Sequence, residues 1–203
     1  LIVIVDAASL EGKDPALLAR AAASGGATML QVRGKDLSSR EFAALARRVM
    51  AGAPASCVTV NDRLDVALAV DAAGCHLGRD DFPISEALRL APPGFVLGGS
   101  AGSEEEARRA AREGAHYLGI GPINATPSKG DAGEAIGAAG FARVRAAAPG
   151  LPAVAIGGVT ARDVPALAQA GADGIAVIGA VLGAPDPALA ARELRDSLEQ
   201  ARG

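Results

Sequence analysis

Short runs of Val, Ile, Leu and Ala alternate along the whole chain with longer stretches in which apolar residues recur every three or four positions. The short runs are too uniformly apolar for surface helices and predict strands buried on both faces, whereas the longer stretches predict amphipathic helices. Strands are predicted at residues 1–5, 27–32, 57–60, 74–77, 95–98, 116–120, 152–156 and 173–178. Helices are predicted at residues 15–24, 38–50, 64–70, 84–90, 103–113, 138–147, 161–170 and 187–200. Ser103 followed by Glu106 has the spacing of a capping box. A weak internal repeat (SGGATMLQV, REGAHYLGI, QAGADGIAVI) closes a helix on Gly and enters the next strand through Ala. That is the pattern expected where glycine takes the left-handed turn after a helix.

Eight β/α units of about 25 residues each suit a closed barrel better than an open doubly wound sheet, which is the runner-up. The fold class is therefore read as α/β: a single (β/α)8 TIM barrel domain over residues 1–203, with its active site at the C-terminal ends of the strands. Composition adds a packing constraint. Half of the residues are hydrophobic but only 2% are aromatic, so the core must be built from Ala, Val, Leu and Ile between closely approaching backbones.

Charge narrows the classes of partner. The 20 basic and 23 acidic residues are interspersed and leave a net charge of −3, so neither nucleic acid nor a membrane surface is an expected partner. No apolar run reaches the roughly 20 residues of a membrane span, and the segment after Asp6 is unlike a signal peptide; a cytoplasmic location is expected. The chain opens on Leu1 inside a strand-like run and without Met, so preceding sequence is expected. Cys57 and Cys75 sit in apolar runs without CxxC spacing and are expected to be reduced, buried thiols.

Unusual polar residues fall where the strands end. QVRGK (Gln31, Val32, Arg33, Gly34, Lys35) leaves the second strand, Asn61 and Asp62 the third, HLGRDD the fourth, Ser100 the fifth, GPINATPSKGD the sixth, Gly158 the seventh and Gly179 the eighth. Each alone has a plainer reading: a solvated loop for Arg33 and Lys35, a helix N-cap for Asn61 and Asp62, simple turns for the glycines. His76 and His116 lie on strand runs and are read as satisfied structural histidines. Seven such features at one rim point together to a site. Arg33, Lys35 and Lys129 carry more positive charge than one phosphate needs and suit a diphosphate. Asp62 and Asp81, from adjacent strands, would repel unless a cation lay between them, and Mg²⁺ takes one or two carboxylates along with phosphate oxygens and water. Gly158 and the Ile178–Gly179 turn offer the usual barrel phosphate pocket. Two anionic sites imply two phosphorylated small-molecule substrates; assembly into a homo-oligomer stays open.

At QVRGK, VNDRLDVAL, GCHLGRDD, GPINATPSKGD and AIGGV, in that order and over essentially its whole length, the chain resembles the thiamine phosphate synthase family. The resemblance implies joining of 4-amino-5-hydroxymethyl-2-methylpyrimidine diphosphate to thiazole phosphate, giving thiamine phosphate and pyrophosphate. It implies that Gln31, Val32, Arg33, Gly34, Lys35, Asn61, Ser100 and Lys129 hold the pyrimidine diphosphate, with Arg33, Lys129 and Ser100 as the catalytic set. Asp62 and Asp81 would ligate Mg²⁺, and Thr126, Pro127, Ser128, Gly158, Ile178 and Gly179 would hold the thiazole phosphate. It further implies a dissociative substitution, with the loop bearing Lys129 acting as a lid.

Five positions depart from the family pattern: Ile2 replaces a frequent Tyr, Gly102 a His, Asn124 an aromatic, Ser128 a Thr and Gly179 a Ser. These bear on affinity more than on reaction type. One rival reading is a thiazole tautomerase of the same fold, which carries a catalytic His where this chain has Pro122 and does not need the paired carboxylates. Another is a non-catalytic binder of phosphorylated thiamine precursors, for which intact metal ligands have no purpose.

Overall fold

The computed structural model describes residues 1–125 and 133–202. Eight parallel strands pair in sequence order and close on themselves, the first against the eighth. They are β1 (Ile2–Asp6), β2 (Met29–Arg33), β3 (Cys57–Asn61), β4 (Gly74–Leu77), β5 (Val96–Ala101), β6 (Tyr117–Ile120), β7 (Ala153–Ile156) and β8 (Gly174–Val177). The helices outside them are α1 (Pro15–Ser24), α2 (Ser39–Gly52), α3 (Leu64–Ala69), α4 (Ile84–Leu90), α5 (Glu104–Glu113), α6 (Gly137–Ala146), α7 (Val164–Gln169), α8 (Gly179–Leu182) and α9 (Pro187–Gln200). This is the expected (β/α)8 barrel, and the open sheet is set aside. Among the described residues no helix is long and apolar enough to cross a membrane.

Period-two alternation sorts the strand residues into two compartments. Val3, Val5, Leu30, Val32, Val58, Val60, Leu97, Leu118 and Ile175 point outward into the main core beneath the helices. Ile2, Ile4, Tyr117, Val154 and Ala176 form a second cluster inside the barrel. Gln31, Thr59 and His76 are buried polar residues on the strands.

The repeat is explained by its backbone. Gly26, Gly114 and Gly171 take φ of 96°, 93° and 87°. In each copy the following Ala N–H reaches back to a helical carbonyl five residues earlier (Ala27 to Ala22, Ala115 to Ala110, Ala172 to Leu167). These bonds satisfy carbonyls that the helix end would otherwise leave open. A fourth copy uses Asp71, at φ 55°, with Ala72 donating to Ala67.

Three expectations need correction, and one helix, α8, has no counterpart among the predicted elements. The helix read at 161–170 is a 3-10 turn at Ala161–Asp163 followed by α7, because Pro165 has no N–H for an inner turn and sits instead at the start of the α-helix. Helix α8 is a single turn, too short to carry a periodic signal. The Ser103–Glu106 capping box is half formed: Ser103 Oγ accepts the Glu106 N–H at 3.2 Å, but the Glu106 carboxylate turns to the Gly102 N–H at 2.7 Å and to Arg79. Cys57 and Cys75 are both free thiols as expected, yet only Cys75 is fully buried.

The scarcity of aromatics shows in helix contacts made through glycine. A Cβ on Gly52, at the end of α2, would lie 2.2 Å from the Ala16 carbonyl oxygen of α1, and one on Gly25 would lie 2.3 Å from the Ala188 oxygen of α9. Gly52→Ala should therefore destabilise the protein, although helix propensity alone favours Ala by about 1 kcal/mol. The expected loss is about 1–3 kcal/mol, read as a Tm lowered by about 3–10 °C in thermal unfolding. An unchanged or raised Tm would contradict the close approach.

Candidate active site

The C-terminal ends of the strands open into a cavity of about 740 Å³. Gln31, Arg33, Lys35, Asn61, Asp62, Asp81, Ser100, Gly158, Ile178 and Gly179 all line it. Two residues of the QVRGK motif do not: the Val32 side chain is buried in the outer core, and Gly34 packs toward Leu37. Thr126, Pro127, Ser128 and Lys129 lie outside the described residues.

Asp62 is held by an unusual backbone. At φ 65° it occupies the left-handed region, rare for a residue with a Cβ, and its N–H donates to the His76 carbonyl at 2.8 Å. Such conformations persist where the surroundings over-determine them, often at functional sites. Neither Asn61 nor Asp62 is a helix cap, since Arg63 holds that position for α3 and no side-chain cap bond is made. Asp81 comes back toward the rim because Gly78 is bare: Asp81 Oδ2 accepts the Gly78 N–H at 2.6 Å, and a Cβ on Gly78 would lie 2.7 Å from the same oxygen.

The two carboxyl groups meet in hydrogen-bonding contact. Burial comes first among the causes that push the Asp62 carboxyl up to about 7, followed by the contact with Asp81 and its charge; Arg33 and Lys35 pull the other way. Two carboxylates this close suit a divalent cation. No cluster of three or more His, Cys, Asp or Glu side chains suited to a metal occurs among the described residues. The remaining ligands would have to be oxygens from substrate and water, as Mg²⁺ prefers.

Several residues of the site lay outside the sequence reading. Asp6, at the end of β1 and opposite Arg33 in the strand register, is buried and ion-pairs with the Arg33 guanidinium. Asp6 also accepts the Ala8 N–H at 3.2 Å, which fixes its carboxylate. Its signal was present, as a charged residue leaving a strand at the same rim. Glu106 links the loops after β4 and β5, accepting from Arg79 at 3.0 Å as well as from Gly102. His116 is structural as expected, its Nδ1 accepting the Leu97 N–H at 2.9 Å. His76 is likewise satisfied, but one of its partners is Ser100, a residue of the site itself.

Across the cavity, Gly157 and Gly158 take φ of 91° and 65°. A Cβ on Gly158 would lie 2.9 Å from that of Asn124, so glycine lets the start of the β6–α6 loop lie against the exit of β7. Asn124 Nδ2 donates to the Gly158 carbonyl at 3.0 Å across this junction. Gly179, the first residue of α8, has open space where a side chain would stand.

Residues 1–181 match the family model described as thiamine monophosphate synthase. The chain is 48% identical over 204 aligned residues to the thiamine-phosphate synthase of Methanoculleus marisnigri, covering 100% of this chain and 96% of that protein. It is 47% identical over 205 aligned residues to the thiamine-phosphate synthase of Moorella thermoacetica, covering 100% and 97%. Among solved structures it is similar to the thiamine phosphate pyrophosphorylase from Pyrococcus furiosus, with a TM-score of 0.82, 37% identity and coverage of 100% and 96%.

The carboxylate contact has a consequence for stability without metal. Because the folded state raises the Asp62 pKa from 3.8 to about 7, ionising this group opposes folding, and the penalty grows as pH rises through that window. Asp62→Asn should raise the Tm of metal-free protein at pH 8 by about 2–4 °C, as expected for ~1 kcal/mol after allowing for solvent screening at an open rim. The gain should vanish near pH 4. A variant less stable than wild type at pH 8 in EDTA would contradict the repulsion.

Proposed function

This chain belongs to the thiamine monophosphate synthase family and is a transferase of that activity, and we propose that it works by dissociative substitution at the barrel rim. The observation that most supports the reading is the meeting of Asp62 and Asp81 beside Arg33 and Lys35, facing the bare Gly158 and Gly179 across one cavity. One side is equipped for a metal-bound diphosphate and the other for a second phosphate.

In this reading the substrates are 4-amino-5-hydroxymethyl-2-methylpyrimidine diphosphate and thiazole phosphate. Gln31, Asn61 and Ser100 hold the pyrimidine, and Arg33, Lys35 and Lys129 hold its diphosphate. Val32 and Gly34 contribute through backbone alone. Thr126, Pro127, Ser128, Gly158, Ile178 and Gly179 hold the thiazole phosphate. Asp62 and Asp81 hold Mg²⁺, which when bound supplies positive charge against the diphosphate oxygens.

The C–O bond to diphosphate breaks with its electron pair leaving on oxygen, and the thiazole nitrogen lone pair then bonds to the pyrimidine methylene cation. Neither event removes a proton from a reacting atom, so the step needs no general base. It needs fixed positive charge where the leaving group gathers negative charge. Asp6 holds the Arg33 guanidinium at the rim, so little reorganisation is required as that charge develops. Pro122 carries no proton for a tautomerase step.

The test is incubation of the purified protein with both substrates and Mg²⁺, following pyrophosphate and thiamine phosphate together. Stoichiometric formation of the two is expected. Rapid metal-independent interconversion of thiazole isomers with no pyrophosphate release would overturn the reading.

The open space at Gly179 gives a second expectation. Gly179→Ser should fold normally and lower the KM for thiazole phosphate by about 2–10-fold, the worth of one added hydrogen bond. The KM for the pyrimidine diphosphate should stay within twofold. A raised thiazole phosphate KM in steady-state kinetics would place that phosphate elsewhere.

A further inference from the structure

Asn124, on the segment after β6, grips the turn that leaves β7 at two points. Its backbone N–H donates to the Gly157 carbonyl at 2.9 Å, and its side-chain Nδ2 donates to the Gly158 carbonyl at 3.0 Å. The sense of the side-chain bond is fixed, because only the amide nitrogen has a hydrogen to give a carbonyl. The peptide bonds of this turn are trans, so each C=O points opposite to the N–H of the next residue. With the Gly157 and Gly158 carbonyls turned toward Asn124, the N–H groups of Gly158 and Val159 point the other way.

That other way is the cavity. β7 lies between β6 and β8, so the side of the turn remote from Asn124 is the side of Ile178 and Gly179. Gly157, Gly158, Val159, Ile178 and Gly179 all line the cavity. The next N–H along, that of Thr160, is already used, donating to Asp163 Oδ2 at 2.8 Å. Among the described residues the Gly158 and Val159 N–H groups meet no acceptor. Val159 is only 4% exposed, and a buried N–H is rarely left without an acceptor unless something outside the chain supplies one. Successive N–H groups turned the same way make the concave donor set that anions occupy. Glycine at both positions permits the grip: a Cβ on Gly157 would lie 2.7 Å from Pro122 Cα, and one on Gly158 would lie 2.9 Å from Asn124 Cβ.

We propose that Asn124 is a positioning residue for the thiazole phosphate: by holding both carbonyls from behind, it aims the Gly158 and Val159 N–H groups at the anion. Asn124 itself does not touch the phosphate. The two peptide planes depend on it unequally. The plane between Gly157 and Gly158 is held by the Asn124 backbone and survives any substitution that keeps the fold. The plane between Gly158 and Val159 is held by the side-chain amide, and glycine leaves it free to turn once that amide is gone. Loss of the side chain therefore falls mainly on the Val159 N–H.

The inference rests on the synthase reading for the identity of the phosphate compound. Its test is titration of inorganic phosphate into ¹⁵N-labelled protein in EDTA, followed through the assigned backbone amide resonances. In wild type the Gly158 and Val159 resonances should move together and saturate. In Asn124→Ala the phosphate Kd read from them should rise about 3–10-fold, with the Val159 shift reduced more than the Gly158 shift. Asn124→Asp, which sets a carboxylate against the same carbonyl, should lose at least as much. In steady-state kinetics Asn124→Ala should raise the KM for thiazole phosphate by the same factor and leave the pyrimidine diphosphate KM within twofold. Competitive inhibition by the thiazole alcohol, which has no phosphate, should be unchanged, whereas a general loosening of the site would weaken it too. Gly158 and Val159 resonances that stay still as phosphate is raised would overturn the proposal, whatever becomes of the variants. So would an Asn124→Ala protein with wild-type phosphate affinity, or one that loses the thiazole alcohol equally. A phosphate response that weakens as expected, without formation of thiamine phosphate from the two substrates, would sink the synthase reading and leave the role of Asn124 intact.

Discussion

Closure of eight strands into a ring, with side chains alternating in and out, is the constraint from which the remaining features follow. Once the ring is closed, every second residue shares one narrow interior and the others pack beneath helices. The interior meets water at the rim, so polar and charged groups gather there: Arg33 and Asn61 end their strands and Ser100 is next to the end of its own, whereas Ile2, Ile4 and Val154 fill the space below. Polar groups placed deeper must satisfy one another. Tyr117, His76 and Ser100 do so in a single chain, and the bare positions at Gly98 and Gly119 are what the crowded interior requires for it.

The same closure places charges that would not otherwise meet. Asp62 and Asp81 approach from adjacent strand ends, one through a left-handed backbone and the other through a bare glycine. Their mutual repulsion is a cost to the empty protein, and a cation with diphosphate removes it. Arg33 stands in the opposite balance. Asp6 neutralises part of its charge and fixes its direction, favouring precise placement over maximal attraction.

Much of this was legible in sequence because the signals are local. Uniformly apolar runs gave the eight strands, and three Gly–Ala junctions gave the helix ends, now seen with positive φ at Gly26, Gly114 and Gly171. The rim residues were legible because strand ends can be counted. What stayed hidden depends on partners far away in the chain. His76 and Tyr117 are separated by 41 residues, and Arg33 and Asp6 by 27. Glu106 fits a cap by spacing, but Arg79 and Gly102 compete for its carboxylate. Val32 and Gly34 belong to the motif yet face away from the cavity, because a motif is contiguous while alternation exposes only every second side chain.

The central claim is that the Asp62–Asp81 pair and the cations beside it form one seat, shared between a divalent metal and a diphosphate. Isothermal titration of inorganic pyrophosphate into the protein, with and without Mg²⁺, tests it most directly, since linkage requires each ligand to strengthen the other equally. The expected result is a pyrophosphate affinity at least about tenfold higher with Mg²⁺, and the same factor for Mg²⁺ when pyrophosphate is bound. Equal pyrophosphate affinity in Mg²⁺ and in EDTA would contradict the shared seat.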